Sequence, residues 1–277
     1  MPRAGSSRDR LTSPKSDRVR AVHALTRRVA RSREGAFLVE GPQGVREAVR
    51  HRPDLVREVY VTDAAAERYR DVLDDADDAR IPVIAVDDAV LAAMADAQTP
   101  QGLLAVVRTP RADLDAVLAG RPQLLCVLTH VRDPGNAGTV LRTADAVGAD
   151  AVLVSEGSVD VLNPKVVRST VGSLFHLPVV TDLGVDEILT RVGDAGIRLL
   201  AADGHGTRLL TDPGVEAELR EPHAWVFGNE AWGMAAPTRD RCDEVVRVPI
   251  HGHAESLNLA MAATICLYSS ARAQHPG

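Results

Sequence analysis

The stretch Val226-Phe227-Gly228-Asn229-Glu230 runs from apolar residues directly into small and polar ones. This pattern predicts a buried β-strand that ends at Gly228. Further along, Val248-Pro249-Ile250 has the same character, and a helical pattern follows from Ser256. Since the carboxyl ends of parallel strands meet at one edge of a sheet, where α/β proteins bind ligands, the two segments predict a ligand site there.

A third segment, Asp133-Pro134-Gly135-Asn136-Ala137-Gly138, follows an apolar strand and begins a helix that carries Arg142. A guanidinium keeps its charge at neutral pH and can hold a phosphate or carboxylate through two hydrogen bonds. Together with Asn136 at the start of the helix, Arg142 predicts a clamp for a ribose phosphate. At the end of its strand, Glu230 can orient an arginine or accept a hydrogen bond from a hydroxyl.

Three other kinds of site fit parts of the sequence. Gly135 at a helix start and Glu156 beyond the next strand lie where a dinucleotide fold has its glycine turn and ribose-binding acid, but the full G-x-G-x-x-G spacing is missing. His251 and His253 have no further zinc ligands nearby, and Ser256 has no G-x-S-x-G turn of a hydrolase. The residues alone thus leave a nucleotide-binding α/β enzyme as an alternative, and we expect no metal.

Composition sets the broad class. A chain of 277 residues can form one large domain or two, and it contains no apolar run of about 20 residues that could span a membrane. Cys126, Cys242 and Cys266 are widely spaced among apolar neighbours, which favours reduced thiols. We therefore expect a cytoplasmic protein without a membrane partner.

The net charge of -6 is unevenly distributed. Residues 1–33 hold ten Lys/Arg against two Asp/Glu, so this basic arm carries +8 and the rest of the chain carries -14. Arg27, Arg28 and Arg31 lie on a stretch that can form a helix, and such an arm can neutralise phosphates of a nucleic acid. A solvated, disordered terminus is the alternative interpretation.

The apolar pattern divides the rest of the chain. Residues 34–108 predict a small α/β module, 109–122 a linker with a short helix, and 123–272 a regular strand–helix alternation that is typical of a mostly parallel, doubly covered sheet. The predicted strands are 36–40, 56–61, 82–86, 103–107, 124–128, 151–154, 179–180, 197–201, 224–227 and 245–248, and the main predicted helices are 64–78, 88–95, 137–147, 163–175, 185–195 and 256–272.

Taken together, the three segments resemble the signature motifs of the SpoU/TrmH branch of the SPOUT RNA methyltransferases, in the family's order and spacing. The first motif corresponds to 136–144, the second to 226–233 and the third to 248–260. Residues 34–108, with Phe37-Leu38-Val39-Glu40-Gly41 and Thr99-Pro100-Gln101-Gly102, resemble the substrate-binding α/β/α domain that many members carry.

This resemblance implies a trefoil-knotted C-terminal domain that binds S-adenosylmethionine, in a homodimer whose active sites draw on both subunits. It also implies transfer of a methyl group to a ribose 2′-hydroxyl of structured RNA. We favour 23S rRNA over tRNA because the N-terminal module resembles that of large-subunit rRNA enzymes. A tRNA substrate and a noncatalytic RNA-binding factor on the same fold are the alternatives.

The resemblance also implies roles for individual residues. Arg142 would hold phosphate and stabilise a developing alkoxide, Asn136 would position the ribose, and Glu230 would orient Arg142 or the hydroxyl. Ser256 and Asn258 would shape the methyl pocket. The implied cofactor-binding residues are Gly228, Asn229, Glu230, Val248, Pro249, Ile250, Ser256, Leu257, Asn258, Leu259, Ala260 and Met261, and the expected RNA-binding residues are Arg168, Arg27, Arg28 and Arg31.

Overall fold

The computed structural model describes residues 10–275, so the first nine residues of the basic arm lie outside the described part. The chain forms two compact units. One comprises residues up to 110 together with 160–175, and the other comprises 111–159 together with residues from 176 onwards. The segment 160–175 lies inside the predicted domain 123–272 in sequence but packs with the N-terminal residues.

The first unit is built on a four-stranded sheet of order β1-β4-β2-β3. Strand β4 pairs antiparallel with β1 and β2, whereas β2 and β3 are parallel. Its elements are α1 (Asp17–Ala24), α2 (Arg28–Glu34), β1 (Ala36–Glu40), α3 (Pro42–His51), β2 (Val56–Val61), α4 (Asp63–Arg68), α5 (Arg70–Asp78), β3 (Val83–Ala85), α6 (Asp88–Met94) and β4 (Leu103–Arg108), followed by α9 (Pro164–Thr170) and a 3₁₀ turn (Ser173–Phe175).

The described part of the basic arm is folded. Val19, Val22 and Leu25 are buried in the core of the first unit beside the sheet. Ser16 caps α1 by accepting a hydrogen bond from the amide of Val19 at 3.3 Å. The alternative of a disordered terminus is therefore wrong for residues 10–33.

The helix predicted over 163–175 is interrupted. It ends at Thr170, and Val171 and Gly172 follow with φ angles of +54° and +107°. A Cβ atom on Gly172 would lie 2.3 Å from the Cγ atom of Glu47, so the chain turns where only glycine fits. The predicted helix 64–78 is likewise divided, at Tyr69, into α4 and α5.

The second unit contains a seven-stranded sheet of order β7-β6-β5-β10-β8-β11-β9 in which every neighbouring pair is parallel. This confirms the predicted mostly parallel α/β sheet. Its elements are α7 (Leu114–Ala119), β5 (Leu124–Leu128), α8 (Pro134–Ala146), β6 (Ala151–Ser155), β7 (Val179–Leu183), α10 (Val185–Asp194), β8 (Arg198–Ala202), β9 (Arg208–Leu209), α11 (Pro213–Glu218), β10 (His223–Phe227), α12 (Ala236–Arg239), β11 (Glu244–Arg247) and α13 (Leu259–Gln274).

Two packing relationships position the candidate site. Strands β5 and β10 pair in register from Leu124 with His223 to Leu128 with Phe227, so the loops that follow them leave the same edge of the sheet. Helix α13 packs against α8, where the hydroxyls of Thr143 and Thr264 are 3.1 Å apart. Among the helices of residues 10–275, none is long and apolar enough to cross a membrane.

Candidate active site at the ends of β5 and β10

A chain of side-chain hydrogen bonds joins the three segments singled out in the sequence. The amide nitrogen Nδ2 of Asn136 donates to Oε1 of Glu230 at 3.3 Å. Its oxygen Oδ1 accepts from Nδ2 of Asn258 at 3.0 Å. Residues far apart in sequence therefore meet, and the amide of Asn136 serves both neighbours because it offers a donor and an acceptor.

Glu230 also fixes the start of α8. Its carboxylate accepts hydrogen bonds from the backbone amides of Arg132 at 3.2 Å and Asp133 at 3.0 Å. Asp133 in turn caps α8 by accepting from the amide of Asn136 at 2.7 Å. Within residues 10–275 Glu230 forms no hydrogen bond or ion pair with Arg142 but binds Asn136 and the loop before α8. That it orients Arg142 or the hydroxyl stays a prediction.

The loop after β10 is tightly constrained. Asn229 exchanges two backbone hydrogen bonds with Gly233, at 2.8 and 3.0 Å. Its buried side chain donates to the carbonyl of His130 at 2.7 Å and accepts from the amide of Ala231 at 2.8 Å. A Cβ atom on Gly228 would lie 2.5 Å from the carbonyl oxygen of Gly233, so this closed loop requires glycine at its first position.

Asn258 begins the last helix. Its Oδ1 atom accepts from the backbone amides of Ala260 at 2.9 Å and Met261 at 3.4 Å, and α13 starts at Leu259. The predicted helix start at Ser256 is therefore wrong, because the capping side chain lies two residues later. Ser256 is exposed, and in the described part of the chain its side chain has no hydrogen-bond partner.

The segment before Asn258 presents free backbone groups. No N–H or C=O of residues 249–257 bonds another residue in the range 10–275. Of the predicted cofactor-binding positions, Gly228, Asn229 and Ala260 are buried, Val248, Pro249 and Leu259 are half-buried, and Glu230, Ile250, Ser256, Leu257, Asn258 and Met261 are exposed. Unpaired main-chain donors and acceptors beside apolar side chains suit a small polar ligand with an apolar part.

Arg142 lies on α8 with an exposed side chain. It forms no hydrogen bond or ion pair with any of the described residues, so its charge is free for an external anion.

The arginines predicted to bind RNA separate into two groups. Arg27 and Arg28 are exposed and unpaired within the described residues. Arg31, in contrast, is 4% exposed, pairs with Asp160 and donates to the carbonyl of Thr26 at 2.8 Å. Its predicted RNA contact is corrected, because a buried and paired guanidinium holds the fold together.

Arg168 requires a similar correction. It lies in the first unit and bridges Glu40 at 3.1 Å and Asp96 at 2.8 Å. The Glu40 carboxylate also accepts from the amide of Ala97 at 3.0 Å. Two carboxylates on one guanidinium leave no excess positive charge for a phosphate.

Sequence reasoning missed a pair of residues beside the site. The guanidinium carbon of Arg132 lies 5.7 Å from the ring centroid of Trp232, which is 58% exposed. The available signal was a tryptophan two residues after Glu230, within a loop of small residues.

Comparisons with known proteins agree with this arrangement. A family model described as the SpoU rRNA Methylase family matches residues 123–268, and one described as RNA 2'-O ribose methyltransferase substrate binding matches residues 38–112. The 23S rRNA (guanosine(2553)-2'-O)-methyltransferase RlmP of Bacillus subtilis is 33% identical over 93% of this chain and 97% of its own length. The 23S rRNA (uridine(2479)-2'-O)-methyltransferase of Streptomyces viridochromogenes is 32% identical over 91% of this chain and 88% of its own.

Solved structures give the same picture. The SpoU methyltransferase AviRb from Streptomyces viridochromogenes, in complex with the cofactor AdoMet, superposes with a TM-score of 0.81 at 32% identity and covers 95% of this chain and 100% of its own. An AdoMet-bound rRNA methyltransferase from Sinorhizobium meliloti has a TM-score of 0.81 at 25% identity and covers 95% and 97% of the two chains.

Proposed function

Since the chain belongs to the SpoU rRNA methylase family, we propose that it transfers a methyl group from S-adenosylmethionine to a ribose 2′-hydroxyl of 23S rRNA. The observation that carries this function is the hydrogen-bonded chain from Glu230 through Asn136 to Asn258, which unites the three family motifs at one sheet edge. The substrate follows from relatives named 23S rRNA 2'-O-methyltransferases that align over most of the chain.

The residues present fit S-adenosylmethionine. The free main-chain groups of 249–257 would hold its polar parts, with Leu257, Leu259 and Ala260 next to them in sequence, and the closed loop Gly228–Glu230 would complete the site. The bound cofactor supplies an electrophilic methyl group on a sulfonium.

The roles of the catalytic candidates follow from their chemistry. A guanidinium is a cation with five hydrogen-bond donors, so Arg142 binds the substrate phosphate and stabilises negative charge that develops on the 2′-oxygen. Asn136, held between Glu230 and Asn258, positions the ribose. Asn258 fixes the start of α13, and the Ser256 hydroxyl lines the methyl pocket.

The domain organisation is part of the proposal. We assign residues 34–108 to RNA substrate binding, 109–122 to the linker and 123–272 to the methyltransferase domain with the trefoil knot of its family. The parallel seven-stranded sheet and the likeness to AviRb support this assignment. An enzyme that acts on bacterial-type rRNA works in the cytoplasm, where ribosomes are assembled.

A homodimer is supported by the surface of α13. Met261, Ile265 and Tyr268 lie on one helix face and are 52%, 40% and 63% exposed. An apolar stripe of this kind is typical of a surface that a partner covers. We expect Ile265→Glu to yield monomers in sedimentation velocity, whereas Val29→Glu, at a valine that is 81% exposed on α2, leaves the dimer intact.

The function is tested by incubating the protein with S-adenosylmethionine labelled in its methyl group and unmodified 23S rRNA or, separately, unmodified tRNA. Digestion to nucleosides should yield a labelled 2′-O-methyl nucleoside from 23S rRNA. Label on a base, label in tRNA alone or no label would refute the proposal.

Arg142→Ala tests the catalytic assignment in the same assay. We expect a loss of at least about 100-fold in methyl transfer, because one donor to a developing oxyanion is worth that much. Affinity for S-adenosylmethionine should be retained. The matched control is Arg220→Ala, which removes another exposed arginine that has no ion pair among the described residues.

A further inference from the structure

The two tryptophans of this chain have opposite environments. Trp225 is fully buried in β10, and its indole N–H donates to Ser270 at 2.8 Å. Trp232, seven residues later, is 58% exposed. A large aromatic side chain that is left in solvent commonly marks a contact surface.

The backbone that carries Trp232 is rigid. Asn229 accepts a hydrogen bond from the Trp232 amide at 3.4 Å, and the paired bonds between Asn229 and Gly233 close the loop on both sides of it. The indole is therefore presented by a fixed scaffold, which lowers the entropic cost of using it for binding.

A cation lies on the same ring. The guanidinium of Arg132 is 5.7 Å from the Trp232 ring centroid, within the range of a cation–π interaction. The backbone of Arg132 is held by Glu230, the carboxylate that also binds Asn136. One carboxylate thus connects the Trp232–Arg132 pair to the candidate catalytic residues.

We propose that Trp232 and Arg132 form a platform on which a nucleobase of the substrate RNA stacks, with the guanidinium contacting the adjoining phosphate. This inference rests on the proposed function and assigns the placement of the RNA to two residues outside the predicted site. Aromatic side chains stack on any base, and arginine supplies the donors and the positive charge that a phosphate requires. RNA carries a negative charge at every phosphate, so the positive charge beside the ring is complementary to it.

Substitutions at the platform give the first test. We expect Trp232→Ala to raise the KM for 23S rRNA by about 5- to 150-fold, the range found for loss of one stacked base. Trp232→Phe retains an aromatic face and should stay within a few-fold of the wild type. Arg132→Gln keeps the backbone amide that Glu230 binds but should weaken the dependence of RNA binding on salt.

Fluorescence gives a second test that does not depend on turnover. Trp232 is the exposed indole, so adding RNA should quench its emission, and this change should disappear in Trp232→Phe while Trp225 continues to report the buried core. S-adenosylmethionine alone should cause no quenching, and sedimentation of Trp232→Ala should match that of the wild type.

The outcomes separate the possible failures. Quenching by the cofactor alone would assign the ring to its adenine, and a changed sedimentation coefficient would assign it to the dimer interface; either result overturns the platform. If the wild type methylates 23S rRNA but Trp232→Ala has an unchanged KM and RNA causes no quenching, the platform fails and the proposed function stands. If RNA quenches Trp232 but no RNA is methylated, the proposed function fails and the platform stands.

Discussion

At the scale of single residues, the candidate site depends on the difference between an amide and a carboxylate. Asn136 gives a hydrogen bond to Glu230 and takes one from Asn258. Motif recognition in the sequence selects these three residues. It does not show that Glu230 holds the amides of Arg132 and Asp133, because that contact joins positions almost a hundred residues apart and depends on the register of β5 with β10.

Asn136→Asp tests this dependence. The new carboxylate would face that of Glu230, and like charges at this distance disfavour ionisation of both. We expect methyl transfer at pH 7 to fall at least as far as in Asn136→Ala, for which the loss of a hydrogen bond to a charged group predicts about 10- to 150-fold. Activity of Asn136→Asp should recover partly as pH is lowered. A proton shared between the new carboxyl group and that of Glu230 would again provide the hydrogen-bond donor between positions 136 and 230.

The matched control is Asn163→Asp. Asn163 caps α9 by accepting from the amide of Lys165 at 2.9 Å, a role that aspartate fulfils equally well. A pH profile of Asn136→Asp parallel to that of the wild type would contradict the proposed hydrogen-bond chain.

His223 predicts a pH dependence of stability. The ring is 1% exposed, with Nδ1 at 2.8 Å from the carbonyl oxygen of Glu221 and Nε2 at 2.7 Å from the hydroxyl of Ser270. A carbonyl only accepts, so Nδ1 carries the proton of the neutral ring. Burial lowers the pKa of His223 below its usual value of 6.5.

The direction of this pH dependence follows from whether the folded or the unfolded state binds the proton of His223 more tightly. Below pH 6.5 the unfolded chain protonates this histidine before the folded protein does, so the free energy of unfolding should decrease as pH falls from 6.5 towards the lowered pKa. Urea unfolding between pH 7.5 and 5 should show this decrease in the wild type and a smaller one in His223→Gln. His253→Gln, at an exposed histidine, should retain the full decrease.

At the scale of elements, the sequence predicts long apolar strands well and interruptions poorly. Strand β5 matches its predicted bounds because all five of its residues are buried. Strand β9 has two residues and no pattern to detect. The break after α9 was missed because its cause is a contact with Glu47, on α3, rather than a local signal.

Gly172→Ala tests that cause. The added methyl group would overlap Glu47, and φ of +107° is unfavourable for alanine, so we expect a loss of about 1–3 kcal/mol in the free energy of unfolding. Gly193→Ala is the control. Gly193 lies in α10, and an added methyl group there would have no neighbouring atom within 4 Å, so alanine should stabilise by about 0.5–1 kcal/mol. If the two changes alter the free energy of unfolding equally in urea, helix propensity, and not the contact with Glu47, causes α9 to end at Thr170.

At the scale of the whole molecule, the charge pattern in the sequence overstates the positive field of the arm. Of its arginines, Arg10 pairs with Asp63 and Asp87, and Arg18 pairs with Glu58. Arg31 is buried against Asp160. Composition yields the +8 of residues 1–33 but not these partners, which come from elsewhere in the first unit. Arg20 and Arg33 pair with the nearby Asp17 and Glu34. Among the arginines of residues 10–33, those without an ion pair to a described residue are therefore Arg27 and Arg28.

The double change Arg27→Gln/Arg28→Gln should consequently alter the salt dependence of RNA binding, and the fold of the protein should stay intact. Each arginine that neutralises a phosphate contributes about 0.7–0.9 to the slope of log K against log salt, so the slope should become shallower by about 1.4–1.8. Filter binding of 23S rRNA between 50 and 400 mM KCl measures this slope.

The control Arg80→Gln/Arg220→Gln removes two exposed arginines outside the arm that have no ion pair within the described residues, and it should leave the slope unchanged. Equal reductions in both variants would mean that net charge governs RNA binding, whereas no reduction in either would mean that the phosphates are held by Arg142 and Arg132 without the arm.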